Sequence, residues 1–171
     1  MVQTRSDSEA KLKVRDMIAD IEVAMLVTMD AEGRHRGRPM RAVKQEGDDE
    51  LWFFTGSESG LAHEARDDER VLLTYADPRR QNYVAISGTA RVVRDVAKQK
   101  ELWSEPLRAW FPKGAEDPKV ALLCVEMEGA EYWDAPSSTL VHAFGYLKAV
   151  TTGEPPHPGA NDKVDFGKKA G

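Results

Sequence analysis

Six apolar segments of strand length follow one another along this chain, and most are separated by turns too short to hold a crossover helix. Val23 to Met29 is continuous and apolar, the pattern of a buried strand. Asp30-Ala31-Glu32-Gly33 is a turn that leads into a second strand, roughly Arg34 to Lys44. Gly47-Asp48-Asp49 is another turn, and the aromatic-rich Leu51 to Thr55 follows it. Val71 to Ala76 is stopped by Asp77-Pro78. Asn82 to Val93 carries Gly88, the mark of a bulge or a close backbone approach. Val120 to Trp133 is the sixth strand. Strands joined by tight turns pair antiparallel, so a doubly wound parallel sheet is excluded. Six such strands most simply close into a small barrel, which removes exposed edges. The expected class is mainly β (α+β), a six-stranded antiparallel barrel with Greek-key character and flanking helices.

The helices are fewer and shorter. Ser6 and Glu9 fit a capping box, and Val14, Met17, Ile18 and Ile21 recur at helical spacing behind it. Ser59 is placed to cap a short helix over about 59–66. Asp95 caps another that begins at Val96. Trp103, Leu107, Trp110 and Phe111 continue at helical spacing, with a break expected at Pro106. Leu140, Phe144 and Leu147 mark a helix over about 137–150, after which residues 151–171 have little to bury and read as a mobile tail.

With 171 residues the chain suits one domain, over 1–150, with that tail attached. Its net charge of −5 argues against nucleic acid as the main partner. Cys124, the single cysteine, lies in an apolar run and reads as a core residue, and the four histidines have no metal-ligand spacing. No apolar stretch is long enough to span a membrane and the N-terminus lacks an apolar signal core, so a cytoplasmic location is the default expectation.

Several catalytic templates fail on inspection. Gly56-Ser57-Glu58-Ser59-Gly60 resembles a nucleophile elbow, but its middle residue is Glu58. There is no P-loop spacing and no dinucleotide-binding glycine fingerprint. No carboxylate pair stands out, so side-chain acid–base catalysis lacks support and a cofactor is the better source of chemistry. The densest positive patch is Arg34 to Arg41. In a strand, Arg36, Arg38 and Met40 share one face, while Gly37, Pro39 and Arg41 share the other. The patch reads either as a solvated edge strand or as an anion site. In the second reading an inward arginine grips a phosphate with two donors. Thr55, Ser57 and Ser59 then supply hydroxyls at the N-terminus of the short helix, where unsatisfied N–H groups favour an anion.

These residues, in this order, resemble a known family. Arg38-Pro39-Met40, Trp52-Phe53-Phe54-Thr55, Ser59, Arg70-Val71 and Val84 to Ala90 are similar to the pyridoxamine 5′-phosphate oxidase-like split-barrel flavoproteins. Leu102-Trp103, Ala109 to Pro112, Asp117-Pro118 and Glu131 to Asp134 resemble its general stress protein 26 branch. The resemblance spans about residues 10–150. It implies a split barrel that binds FMN at the interface of a homodimer, with flavin-dependent oxidoreductase activity on an unidentified small molecule. By resemblance, Arg38 contacts the FMN phosphate, and the backbone from Pro39 through Met40 and Arg41 to Val43 runs beside the ring. Phe54 and Thr55 line the ribityl and phosphate region, and Ser59 bonds the phosphate. Tyr83 approaches from the partner subunit, and Trp110 and Phe111 cover the ring edge. Two departures stand out. The family's usual phosphate-binding lysine, two residues after the loop serine, is Leu61, with Arg41, Lys44 and His63 as possible substitutes. The Arg-x-His segment of the true oxidases is absent after Trp133-Asp134, so pyridoxamine phosphate is not the expected substrate. The Leu61 change leaves FAD, a deazaflavin or haem open as ligands, and also a non-enzymatic stress-response or binding module.

Overall fold

A computed structural model describes residues 7–46, 49–134, 150 and 160–167. In chain order the elements are α1 (Asp7–Ile21), β1 (Val23–Met29), β2 (His35–Arg41), β3 (Lys44–Glu46) and β4 (Glu50–Gly56). Then come α2 (Gly60–Asp67), β5 (Arg70–Asp77), β6 (Asn82–Val93), α3 (Val96–Leu102), a 3₁₀ turn over Glu105–Ala109, β7 (Val120–Asp134) and β8 (Ala160–Asp165). All pairings are antiparallel, in the order β2-β1-β5-β6-β7-β4-β3, with β8 added to β7. Neighbours that are distant in sequence, β1 with β5 and β4 with β7, give the sheet its Greek-key character.

The two ends of this order, β2 and β3, are consecutive in the chain and separated by only Ala42 and Val43. Three Cα steps reach no further than about 11 Å. The sheet therefore curls until its edges meet, yet those edges are joined covalently rather than by a ladder. It is a split barrel and not the closed one that the strand count alone suggests. The expected second strand accordingly breaks at Arg41, and the described residues form eight strands rather than six.

The last of the extra strands corrects the reading of the tail. β7 pairs with β6 along most of its length, but β4 covers its other edge only from Val120 to Glu126. Residues 129–134 would present an open edge, and β8 fills it in register Gly129↔Asp165 to Asp134↔Ala160. Val164 and Phe166 are buried there, so this part of the tail does have something to bury. The helix expected over 137–150 falls outside the described residues, Val150 excepted, as does the Ser6 cap.

Two apolar clusters sit on opposite faces of β4 and β7. Leu51 and Phe53 face the barrel interior with Leu26, Leu73, Ile86, Leu123 and Val125, and the Ala10, Val14, Met17, Ile18 stripe of α1 covers them. Trp52 and Phe54 face outward with Leu102, Val120, Leu122 and Cys124, beneath α3 and the 3₁₀ turn. Burial on both faces explains why Leu122 to Val125 reads as an unbroken apolar run. The helical pattern does break in two, at Trp103 and Ser104 rather than at Pro106, which sits near the start of the 3₁₀ turn. Gly88 meets both expectations placed on it. The β6–β7 register shifts between Ser87 and Gly88, and a Cβ there would lie 2.2 Å from the Glu126 carbonyl oxygen.

Candidate functional site

The site grows from the β1–β2 hairpin and the first turn of α2. Asp30 closes the hairpin by accepting from the backbone N–H groups of Glu32 and Arg34 and from the side chains of Arg34 and Arg36. The Arg34 backbone bond, aided by the two arginine side chains, holds its carboxyl down at about 2. In the hairpin register Thr28 lies opposite Arg36 and Leu26 opposite Arg38. Arg38 therefore sits on the inward face, diagonal to Thr28, where α2 closes that end of the barrel.

Ser59 is the N-cap of α2, as expected. Its Oγ accepts from the Ala62 N–H at 3.1 Å and shares a hydrogen bond with Thr55 Oγ1 at 3.0 Å. The preceding loop is pinned to the start of β7, because the Ser57 N–H donates to the Lys119 carbonyl and Ser57 Oγ to that of Pro118. Arg38 approaches from the other side. A Cβ on Gly60 would lie 3.4 Å from Arg38 Nη2, so the guanidinium stands against the first turn of the helix. Arg38, Thr55 and Ser59 are thus brought together from β2, β4 and the α2 cap.

The other expected site residues go elsewhere. Leu61 is buried in the interior cluster, so the position at which the family resemblance leads one to expect a lysine does not point into the cradle here. Met40 packs against the same cluster, while Pro39 is exposed on the outer face opposite Met25. Arg41 pairs with Glu22, and with Val43 it lines a separate cavity of about 220 Å³ that also involves Ile18, Leu51 and Tyr75. Phe54 is buried beneath α3 and the 3₁₀ turn, with its ring 5.6 Å from Trp103 and 6.1 Å from Phe111. Tyr83 stands on β6, three strands from Arg38, and is 38% exposed. Trp110 is 80% exposed. His63 lies beside Glu58, and the Lys44 side chain is outside the described residues.

One member of the site was not foreseen. Glu64, on α2, accepts from Arg38 Nη1 at 2.7 Å and Nη2 at 2.9 Å, and from Thr28 Oγ1 at 2.5 Å. Arg38 Nη1 also donates to Thr28 Oγ1 at 3.0 Å. Hydrogen bonding from Arg38 holds the Glu64 carboxyl below the usual glutamate range, with burial opposing and Thr28 assisting. Every arginine of the Arg34 to Arg41 patch is therefore matched by a carboxylate. Among the described residues no group of histidine, cysteine or carboxylate side chains could hold a metal ion, and no helix is long and apolar enough to cross a membrane.

The fold and site define a split-barrel protein with an arginine–hydroxyl cradle at a helix N-terminus. A family model described as pyridoxamine 5′-phosphate oxidase like matches residues 9–157, and the chain belongs to that family. Protein bli-3 of Neurospora crassa is 27% identical over 168 residues, covering 90% of this chain and 80% of the relative. A solved structure of a general stress FMN/FAD binding protein from Xanthomonas citri is 29% identical, with TM-score 0.66 over 77% of this chain and 92% of that one. The fold is also that of a general stress protein 26 from Jannaschia sp. CCS1, with TM-score 0.73 at 24% identity over 93% of this chain and 99% of the other.

Proposed function

We infer that the protein is a homodimeric flavoprotein that holds FMN by its phosphate, the bound flavin exchanging hydride or electrons with a small-molecule substrate. The observation that carries this reading is the convergence of Arg38, Thr55 and Ser59 on the first turn of α2. The Xanthomonas citri relative, described as FMN/FAD binding, supports it. The residues suit a phosphate monoester. Arg38 supplies a planar cation with forked donors. The Ala62 N–H is already taken by Ser59 Oγ and the His63 N–H by the Ser59 carbonyl. Those of Gly60 and Leu61 are left to face an anion, because the first helical N–H groups have no intrahelical acceptor. Thr55 fixes the Ser59 hydroxyl. The backbone from Pro39 to Val43 leads away from Arg38 and provides the edge along which a flavin ring would lie. One arginine and one helix turn match a single phosphate group, as FMN carries.

The outer face of the sheet supports a second copy. Val23, Met25, Leu72 and Tyr83 are each more than a third exposed on the adjacent strands β1, β5 and β6. Contiguous apolar surface of this kind marks an interface, and a two-fold pairing would cover it with itself. Tyr83, too distant from Arg38 within one protomer, would reach a flavin from the partner.

The test is an FMN titration followed by absorbance and flavin fluorescence. Stoichiometric uptake is expected, and Arg38→Ala should weaken it about 10- to 100-fold, the value of a lost charge-assisted contact. Unchanged affinity would remove Arg38 from the phosphate site. Leu72→Glu should halve the mass measured by sedimentation, and a dimer that survives it would remove this face from the interface. A non-enzymatic binding module is the second reading, favoured by a cradle whose one carboxylate, Glu64, is already tied to Arg38. Reduction of the bound flavin by a nicotinamide donor would decide against it.

A further inference from the structure

The cradle holds its own counter-charge. Both terminal nitrogens of Arg38 are engaged by the two oxygens of Glu64, and Thr28, itself 2% exposed, ties the same carboxylate from beneath. The Glu64 side chain is 14% exposed and that of Arg38 31%, so the pair lies at the mouth of the site rather than on open surface. The lysine that would add a second positive charge is replaced by the buried Leu61. The charged groups of the adjoining loop and helix do not restore it: Glu58 faces both His63 and Arg66, the latter at 3.8 Å. The side chains that meet a phosphate here sum to no net charge.

We propose that Glu64 is the specificity-determining residue of this cradle: a resident carboxylate that a phosphate ester must displace from Arg38 or share it with. The proposal rests on the phosphate-binding reading of the site. A guanidinium has five N–H donors, and Glu64 and Thr28 occupy the inner ones. Nη2 donates one hydrogen to Glu64 and stands 3.4 Å from where a Gly60 Cβ would lie, so its second hydrogen is the donor left beside the first turn of α2. A phosphate seated there would lie within one side-chain length of a like charge, in a region where water screens poorly. The consequence is selective. Glu64 opposes the phosphate and leaves the rest of a ligand untouched, so it lowers the preference for FMN over riboflavin, which lacks the phosphate.

Glu64→Gln tests this, because the amide keeps an oxygen for Arg38 and removes the charge. FMN should bind about 10-fold or more tighter than to the wild type, while riboflavin changes by less than about 2-fold. The unliganded variant should melt no higher than the wild type, since an ion pair has been lost. Opposite signs for affinity and stability are the signature of a counter-charge. A residue that merely shapes the site would lower both. Parallel shifts for FMN and riboflavin, or weaker FMN binding, overturn the proposal. Should Glu64→Gln not fold, Glu64→Leu combined with Thr28→Val removes the carboxylate together with the hydroxyl it satisfies, and must show the same phosphate-selective gain. If neither chain takes up flavin, the flavin reading fails. Inorganic phosphate then serves as the probe, and it must raise the melting temperature of Glu64→Gln more than that of the wild type. Equal protection overturns the role of Glu64.

Discussion

The β1–β2 hairpin carries two arginine–carboxylate groups of opposite design. At the turn, Asp30 gathers Arg34 and Arg36 from within six residues, and both arginines remain at least half exposed. Further along β2, Arg38 meets a carboxylate from α2, 26 residues away in sequence, with Thr28 buried behind the pair. The first group is local and serves the turn: its backbone bonds define the hairpin, and its arginines are interchangeable cations. The second ties a helix to a strand and lies where a ligand would enter. One hairpin thus separates the arginines that shape its turn from Arg38, the one proposed to meet a phosphate, although they look alike in the sequence.

Removal of one arginine from each group gives the largest contrast. Arg38→Ala leaves the Glu64 carboxylate with the Thr28 hydroxyl but without its cation, in a site where water reaches it poorly. The expected loss is about 1–3 kcal/mol, or about 3–10 °C in melting temperature for a chain of this size. Arg36→Ala removes one of the two exposed cations paired with Asp30 and should shift melting by no more than about 2 °C. Equal shifts in thermal unfolding would erase the distinction.

Acid provides the second contrast. Asp30 is held at about 2 against its usual 3.8. A carboxylate with a depressed folded-state pKa stabilises fully above its unfolded value, and that contribution fades as pH falls through the folded value. Wild type should therefore exceed Asp30→Asn in melting temperature at neutral pH. The two curves should converge on acidification from about pH 4 toward pH 2. Parallel curves over that window would show that the Asp30 bonds do not contribute in solution. Glu64, also depressed, acts with the same sign, so Glu64→Gln should likewise flatten the acid limb.

The two groups also differ in how far the sequence discloses them. The hairpin is legible because everything it needs is close by: a turn at 30–33, Gly33 at φ +76° to complete it, and alternation that places Arg38 inward. The register even places Thr28 diagonally beside Arg38. The Ser59 cap and the buried Cys124 are legible for the same local reasons. Glu64 is not, because nothing within α2 says which strand its outer face will meet. Leu61 misleads in a related way. Its position is recognisable from relatives, but whether that position faces the cradle or the core depends on how α2 is seated. β8 is hidden by composition. Val164 and, just after the strand, Phe166 are its large apolar side chains, and their burial depends on an open edge of β7 that the strand pattern does not reveal.

Salt gives the smallest effect and bears most directly on Glu64. At about 1 M ionic strength the screening length falls to about 3 Å, which dissolves exposed pairs and spares occluded ones. In double-mutant cycles followed by thermal unfolding, the Arg36–Asp30 coupling, whose arginine is half exposed, should fall by the larger fraction between 0.1 and 1 M NaCl. The Arg38–Glu64 coupling should retain most of its value. This outcome matters beyond stability. A carboxylate that salt can screen from Arg38 can also be screened from an incoming phosphate, and would exert no selection. Persistence of the coupling in salt is what allows Glu64 to discriminate between a phosphorylated and an unphosphorylated ligand at physiological ionic strength.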